Sequence, residues 1–192
     1  MLNNVIVFLL ETFLGLFALA LLLRFYLQAL RAPARNPLST FLVALTNWIV
    51  MPARRVIPGL RGMDLSTLVL AWVTEVVMLA AKFSLRGLEM GGAVGAATIA
   101  LLLLAAVEVM KLSVYILLVA VILQVALSWV APYSPAMPML NSLTRPFLGP
   151  LQRRIPPVGN VDLSPIFLLV GCQLLLFLVG WLEASLMRGV AA

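Results

Sequence analysis

The chain has 192 residues, 64% of them hydrophobic and 10% charged, against roughly 45–50% apolar and about 25% charged in soluble domains. With a mean hydropathy of +1.13 and several apolar runs of about twenty residues, enough to cross a roughly 30 Å hydrocarbon core, a water-soluble globule is excluded and a polytopic membrane protein follows. There is no His and a single Cys, Cys172, which removes His-ligated metal or haem, a Ser-His-Asp triad and an intrachain disulfide.

The first predicted element is an apolar helix over about residues 2–30 carrying Glu11. At 1.5 Å per residue it reaches about 43 Å, more than the hydrocarbon thickness, so it tilts or extends into the headgroups. Its first basic residue is Arg24, and without a positive leading region it reads as a retained span, not a cleaved signal. Pro37 and Pro52 then bracket a short amphipathic helix in which Leu38, Phe41, Leu42, Leu45 and Ile49 recur at helical spacing, with Ser39, Thr46 and Asn47 elsewhere. Two placements of it stand, flat at the interface or re-entrant against protein or water. After the basic turn Arg54-Arg55-Val56-Ile57-Pro58, Asp64-Leu65-Ser66 offers an oxygen-bearing cap to a second span over about 65–85, which holds Glu75 and Lys82.

Residues 91–99 form a linker or a helical extension, with Gly91 and Gly95 in a small-xxx-small pattern that permits close helix packing. A third span covers about 100–129, with Glu108 and Lys111 three apart on one face as a local ion pair. Pro135 to Pro150 is a second amphipathic helix presenting Met139, Leu140, Leu143 and Phe147. Gln152-Arg153-Arg154-Ile155-Pro156 and Asp162-Leu163-Ser164-Pro165 lead into a fourth span over about 164–187, which contains Gln173.

The second half repeats the first. A gapless shift of 98 residues aligns Pro37–Ser66 with Pro135–Ser164 at 11 identities in 30, among them Pro52/Pro150, Arg55/Arg153, Thr46/Thr144 and Asp64/Asp162. Residues 1–90 and 100–192 are therefore two copies of one unit, two spans joined by an Arg-rich loop. The same shift lays Glu75 on Gln173 and Tyr26 on Gln124. The two loops hold eight arginines and no acid, which places both in the cytoplasm and both termini outside. An even number of spans between equivalent loops makes the repeats parallel, not inverted.

Each aspartate follows an arginine by nine residues, Arg55 before Asp64 and Arg153 before Asp162. Asp64, Ser66, Asp162 and Ser164 read as caps or ion-pair partners, and Arg54, Arg55, Arg153 and Arg154 as partner- or lipid-binding residues. An anion site built from the arginines and helix N-termini is the alternative. Charges at a helix centre cost about 2.5–3.5 kcal/mol each. Glu11, Glu75, Lys82, Glu108, Lys111 and Gln173 therefore face the bundle interior, either as interhelical glue, with Glu75 and Lys82 joined across it, or as a proton or solute pathway. No catalytic residue, metal site or cofactor site emerges, since no nucleophile and base recur at recognisable spacing.

The doubled pattern Asn36-Pro37, Thr46 to Pro52, Arg54-Arg55-Val56-Ile57-Pro58 and Asp64-Leu65-Ser66, repeated from Ser134-Pro135 to Asp162-Leu163-Ser164-Pro165, resembles the YggT family of small membrane proteins over nearly the whole chain. Ser134 and Gln152 depart from the first copy. The resemblance implies an integral inner-membrane protein of two repeats, with chloroplast relatives called YlmG and associations with osmotic tolerance, cell division or plastid organisation, and assembly of membrane cytochrome complexes. It carries over no catalytic residue. The expected function is a non-enzymatic scaffold or assembly factor whose partners are membrane lipids, a membrane or cytoplasmic protein and other copies of itself, not nucleic acid. The alternative is an oligomeric channel or transport component active in osmotic stress.

Overall fold

A computed structural model describes residues 1–33, 36–59, 63–86, 94–155 and 162–191, and among these it is entirely helical. The helices are α1 (Leu2–Ala29), α2 (Pro37–Val56), α3 (Leu65–Arg86), α4 (Val94–Val130), α5 (Met137–Arg154) and α6 (Ser164–Ala191). Four of them are long and apolar enough to cross a membrane, over Leu2–Ala29, Leu65–Leu85, Ala97–Val130 and Ser164–Arg188. Their many exposed large apolar side chains, such as Phe8, Phe13, Val119, Leu174 and Phe177, suit a surface solvated by lipid.

α4 is a single helix of 37 residues, about 55 Å long, so residues 94–99 extend the third span. Gly95 has nothing within 4 Å of a Cβ position and supports no close helix contact, and Gly91 lies outside the described residues, as do Arg35 and Arg61. α1 packs most extensively on α3 and α4 on α6, and α3 joins the two pairs through α4. Leu27 of α1, Leu42 of α2, Ala120 of α4 and Met139, Leu140 and Leu143 of α5 share one buried cluster. Both loop helices therefore sit at the same end of the bundle, the arrangement of parallel repeats. At the other end Asn3 Nδ2 donates to the Leu85 carbonyl at 3.0 Å.

The loop helices depart from the sequence reading in two ways. Only the first proline of each pair bounds its helix: Pro37 opens α2 and Pro135 precedes α5, but Pro52 lies inside α2, and Pro146 and Pro150 inside α5. The paired arginines consequently belong to the last helical turn, where basic side chains complement the helix dipole. The buried stripe of α2 is Leu42, Thr46 and Val50, while Phe41, Leu45 and Trp48 point outward. On α5 Phe147 is likewise exposed and Thr144 and Leu148 are buried. Burying each threonine requires a polar partner, which helical periodicity does not reveal.

Candidate functional site

The loop end of the bundle has a polar interior, with Arg24, Thr46, Asp64, Ser66, Thr67, Thr144 and Ser164 all buried. In the first repeat Arg24, only 7% exposed, projects from α1 and donates to Thr46 Oγ1 at 2.8 Å and Asn47 Oδ1 at 3.4 Å. The Thr46 hydroxyl in turn donates to the Leu42 carbonyl oxygen at 2.6 Å. In the second repeat Ile122 stands at the position of Arg24, and Thr144 donates to Gln124 Oε1 at 2.5 Å while Gln124 donates to Asn141 at 2.9 Å.

At the start of α3, Asp64 accepts from Arg54 Nε at 2.9 Å and Nη2 at 2.5 Å, and from the Ser66 hydroxyl. The Thr67 hydroxyl donates to the Asp64 carbonyl oxygen at 2.7 Å. At the start of α6, Asp162 accepts from the Ser164 backbone N–H at 2.9 Å and from Gln152 Nε2 at 2.7 Å. Both pairings thus fall one residue before the arginines singled out by the nine-residue spacing. Consecutive helical residues point about 100° apart, so when Arg54 and Gln152 face the aspartate, Arg55 and Arg153 face away; they and Arg154 are exposed. Gln152, a departure from the first copy, thereby does the work of Arg54. Burial alone pushes the Asp64 carboxyl up, but hydrogen bonds from Arg54 and Ser66 and the nearby Arg54 and Arg24 charges hold it below its ordinary value. For Asp162, hydrogen bonds from Ser164 and Gln152 likewise outweigh the effect of burial.

Between α1 and α2 these side chains border a cavity of about 630 Å³ whose polar wall is Arg24, Gln28, Arg31, Arg54, Ser39, Thr40 and Asn47. Arg31 follows α1 with φ +52°. Ala32 N–H bonds back to the Leu27 carbonyl at 2.8 Å and Arg31 N–H to the Gln28 carbonyl at 3.1 Å, the Schellman closure in which glycine usually takes the left-handed position. Neither Arg24 nor Arg31 emerged from the sequence as a site residue. The available signal was that Arg24 is a lone cation inside an apolar span.

A family model for CCB3/YggT matches residues 3–84 and 103–182, one match to each repeat. The chain belongs to the CCB3/YggT family. It is 38% identical to an uncharacterised Pseudomonas aeruginosa protein over 93% of this chain and 89% of that one. It is 33% identical to a Vibrio alginolyticus protein from the region 3′ of proC, over 92% and 94%, and 30% identical to the uncharacterised protein YggT of Escherichia coli K12, over 87% and 85%. No solved structure matches.

In this YggT-family bundle the charges within the spans other than Arg24 lie from mid-helix, as at Glu75, towards the end opposite the loops. Lys82 of α3 pairs with Glu11 of α1 at 2.7 Å, not with Glu75. Glu75 is 1% exposed, and its Oε2 has no hydrogen-bond partner. Lys111 pairs with Glu108 at 3.2 Å within α4 and also with Glu183 of α6, a partner the sequence reading did not include. Gln173, at the position equivalent to Glu75, is exposed, so matched depth does not give matched surroundings.

Proposed function

We propose that this YggT-family protein is a non-enzymatic scaffold or assembly factor of the bacterial inner membrane, whose loop end faces the cytoplasm and docks a partner protein and anionic lipid. The observation that carries this reading is where the unneutralised charge lies. Arg55, Arg153 and Arg154 are exposed on the last turns of α2 and α5, and among the described residues none has an ion-pair partner, whereas Lys82 and Lys111 are neutralised by acids within the bundle. Cations held on α2 and α5, at the same end of the bundle, present positive charge to acidic protein segments or lipid headgroups. The outward Phe41, Leu45 and Trp48 add an apolar face for acyl chains or a partner helix. On this reading osmotic tolerance is a downstream phenotype of the assembled complex.

The test is crosslinking and affinity capture from native membranes, comparing wild type with Arg55→Ala plus Arg153→Ala at matched expression. A stoichiometric partner should be recovered with wild type and lost from the variant; equal recovery would overturn the reading. A second reading, an oligomeric channel or transport component, draws on Glu75, whose buried Oε2 lacks a partner. Solute or ion flux through liposomes containing the purified protein, altered by Glu75→Gln, would favour the channel over the scaffold.

A further inference from the structure

The geometry points to a phosphate-binding pocket between α1 and α2 in which Arg24, Arg31 and Arg54 hold the phosphate group of an anionic ligand. The inference extends the lipid part of the proposed function, yet it rests on cavity residues and not on the exposed arginine pairs, so each can fail without the other.

Three observations carry it. First, Arg24 is a buried cation without a counter-charge in contact: its side-chain hydrogen bonds go to the neutral Thr46 and Asn47, and among the described residues it has no ion-pair partner. Burying an unpaired charge is costly, and an anion arriving in the cavity removes that cost. Second, among the described residues the cavity wall holds three arginines and no carboxylate, with Gln28, Ser39, Thr40 and Asn47 as neutral hydrogen-bonding groups. Among the described residues the acid beside this wall is Asp64, which is engaged by Arg54 Nε and Nη2, so Arg24 and Arg31 carry the wall's unneutralised charge. Guanidinium forks with hydroxyl and amide donors match the oxygens of a phosphate, and a cavity of about 630 Å³ is of ligand size.

Third, the molecule contains its own control. The residues equivalent to Arg24, Arg31 and Arg54 in the second copy are Ile122, Trp129 and Gln152, all uncharged. That copy builds the same helices and satisfies its buried threonine with Gln124 and its aspartate with Gln152. The fold therefore does not require a cation at these positions, and their concentration in the first copy calls for a ligand. The left-handed backbone at Arg31 points the same way, because glycine would adopt it without strain but would not supply the guanidinium donors that Arg31 brings to the cavity.

Two sources supply the chemistry, the headgroup phosphate of an anionic phospholipid and free inorganic phosphate. Full-length protein in phosphatidylcholine nanodiscs, with and without phosphatidylglycerol, is examined by native mass spectrometry for retained lipid. Thermal unfolding in detergent is followed in parallel with added phosphate. Selective retention of phosphatidylglycerol that phosphate does not displace supports the lipid source; stabilisation by phosphate alone, with displacement of lipid, supports the free anion. In either case Arg31→Gly should weaken binding roughly tenfold or more, the loss of one charge-assisted contact, while leaving the unliganded unfolding midpoint equal to or above wild type. Arg24→Gln, which keeps hydrogen-bonding capacity as Gln124 does in the second copy, should abolish it. Equal retention of both lipids with no phosphate effect would overturn the inference. So would wild-type binding by Arg31→Gly, or loss of binding in the Arg55→Ala plus Arg153→Ala variant alone.

Discussion

Asp64 fastens the end of α2 to the start of α3 by accepting from Arg54 and Ser66 together. Its carboxyl is held below the ordinary value, as is that of Asp162. A depressed folded-state value stabilises the protein above the unfolded carboxylate value of about 3.9, and the contribution disappears as pH falls through the lower folded value. Asp64→Asn should therefore lower stability near neutral pH by about 1–3 kcal/mol, discounted because Arg54 is 41% exposed. It should also flatten the acid limb of stability below about pH 4, and thermal unfolding in detergent across pH reads both. Arg54→Gln, the pairing used in the second copy, should stay within about 1 kcal/mol of wild type. That aspartates begin both spans was legible in the sequence from Asp-Leu-Ser. Which of two adjacent arginines meets the aspartate was not, because it depends on α2 continuing through Pro52.

At the scale of elements, α4 and α6 are joined by Lys111, which bridges Glu108 of its own helix and Glu183 across the interface. Removing the cation leaves two carboxylates facing each other in a partly buried setting. Lys111→Met is expected to cost about 2–4 kcal/mol, read as a lower unfolding midpoint, whereas Lys111→Arg should retain most of the stability. A spacing of three residues displays the Glu108 pair in the sequence, but Glu183 lies 72 residues away and enters only through packing. The same limit applies to α2. Its helical spacing was legible, but the stripe that turns inward, Leu42, Thr46 and Val50, depends on the donor that α1 presents to Thr46, the Arg24 guanidinium.

At the scale of the whole molecule, the two loop helices share one end of the bundle and the chain termini the other. Cys172 is buried and free, so a Cys172→Ala background suits accessibility mapping. A membrane-impermeant maleimide should label Arg55→Cys only from the cytoplasmic side and Leu2→Cys only from the opposite side. Labelling of both from one side would break the parallel four-span arrangement in the membrane.

The sequence by itself determined the membrane class, the duplication, the four spans and the two loop helices, because apolar run length, a 98-residue self-match and helical periodicity are local or directly comparable properties of the chain. Tertiary structure decided which polar groups meet: Arg24 with Thr46, Arg54 with Asp64, Lys82 with Glu11, Lys111 with Glu183. Such partners sit on different helices, and their choice follows from how each helix is rotated against its neighbours, a quantity set jointly by every side chain at the interface. The gathering of three arginines around one cavity in a single repeat belongs to that second category.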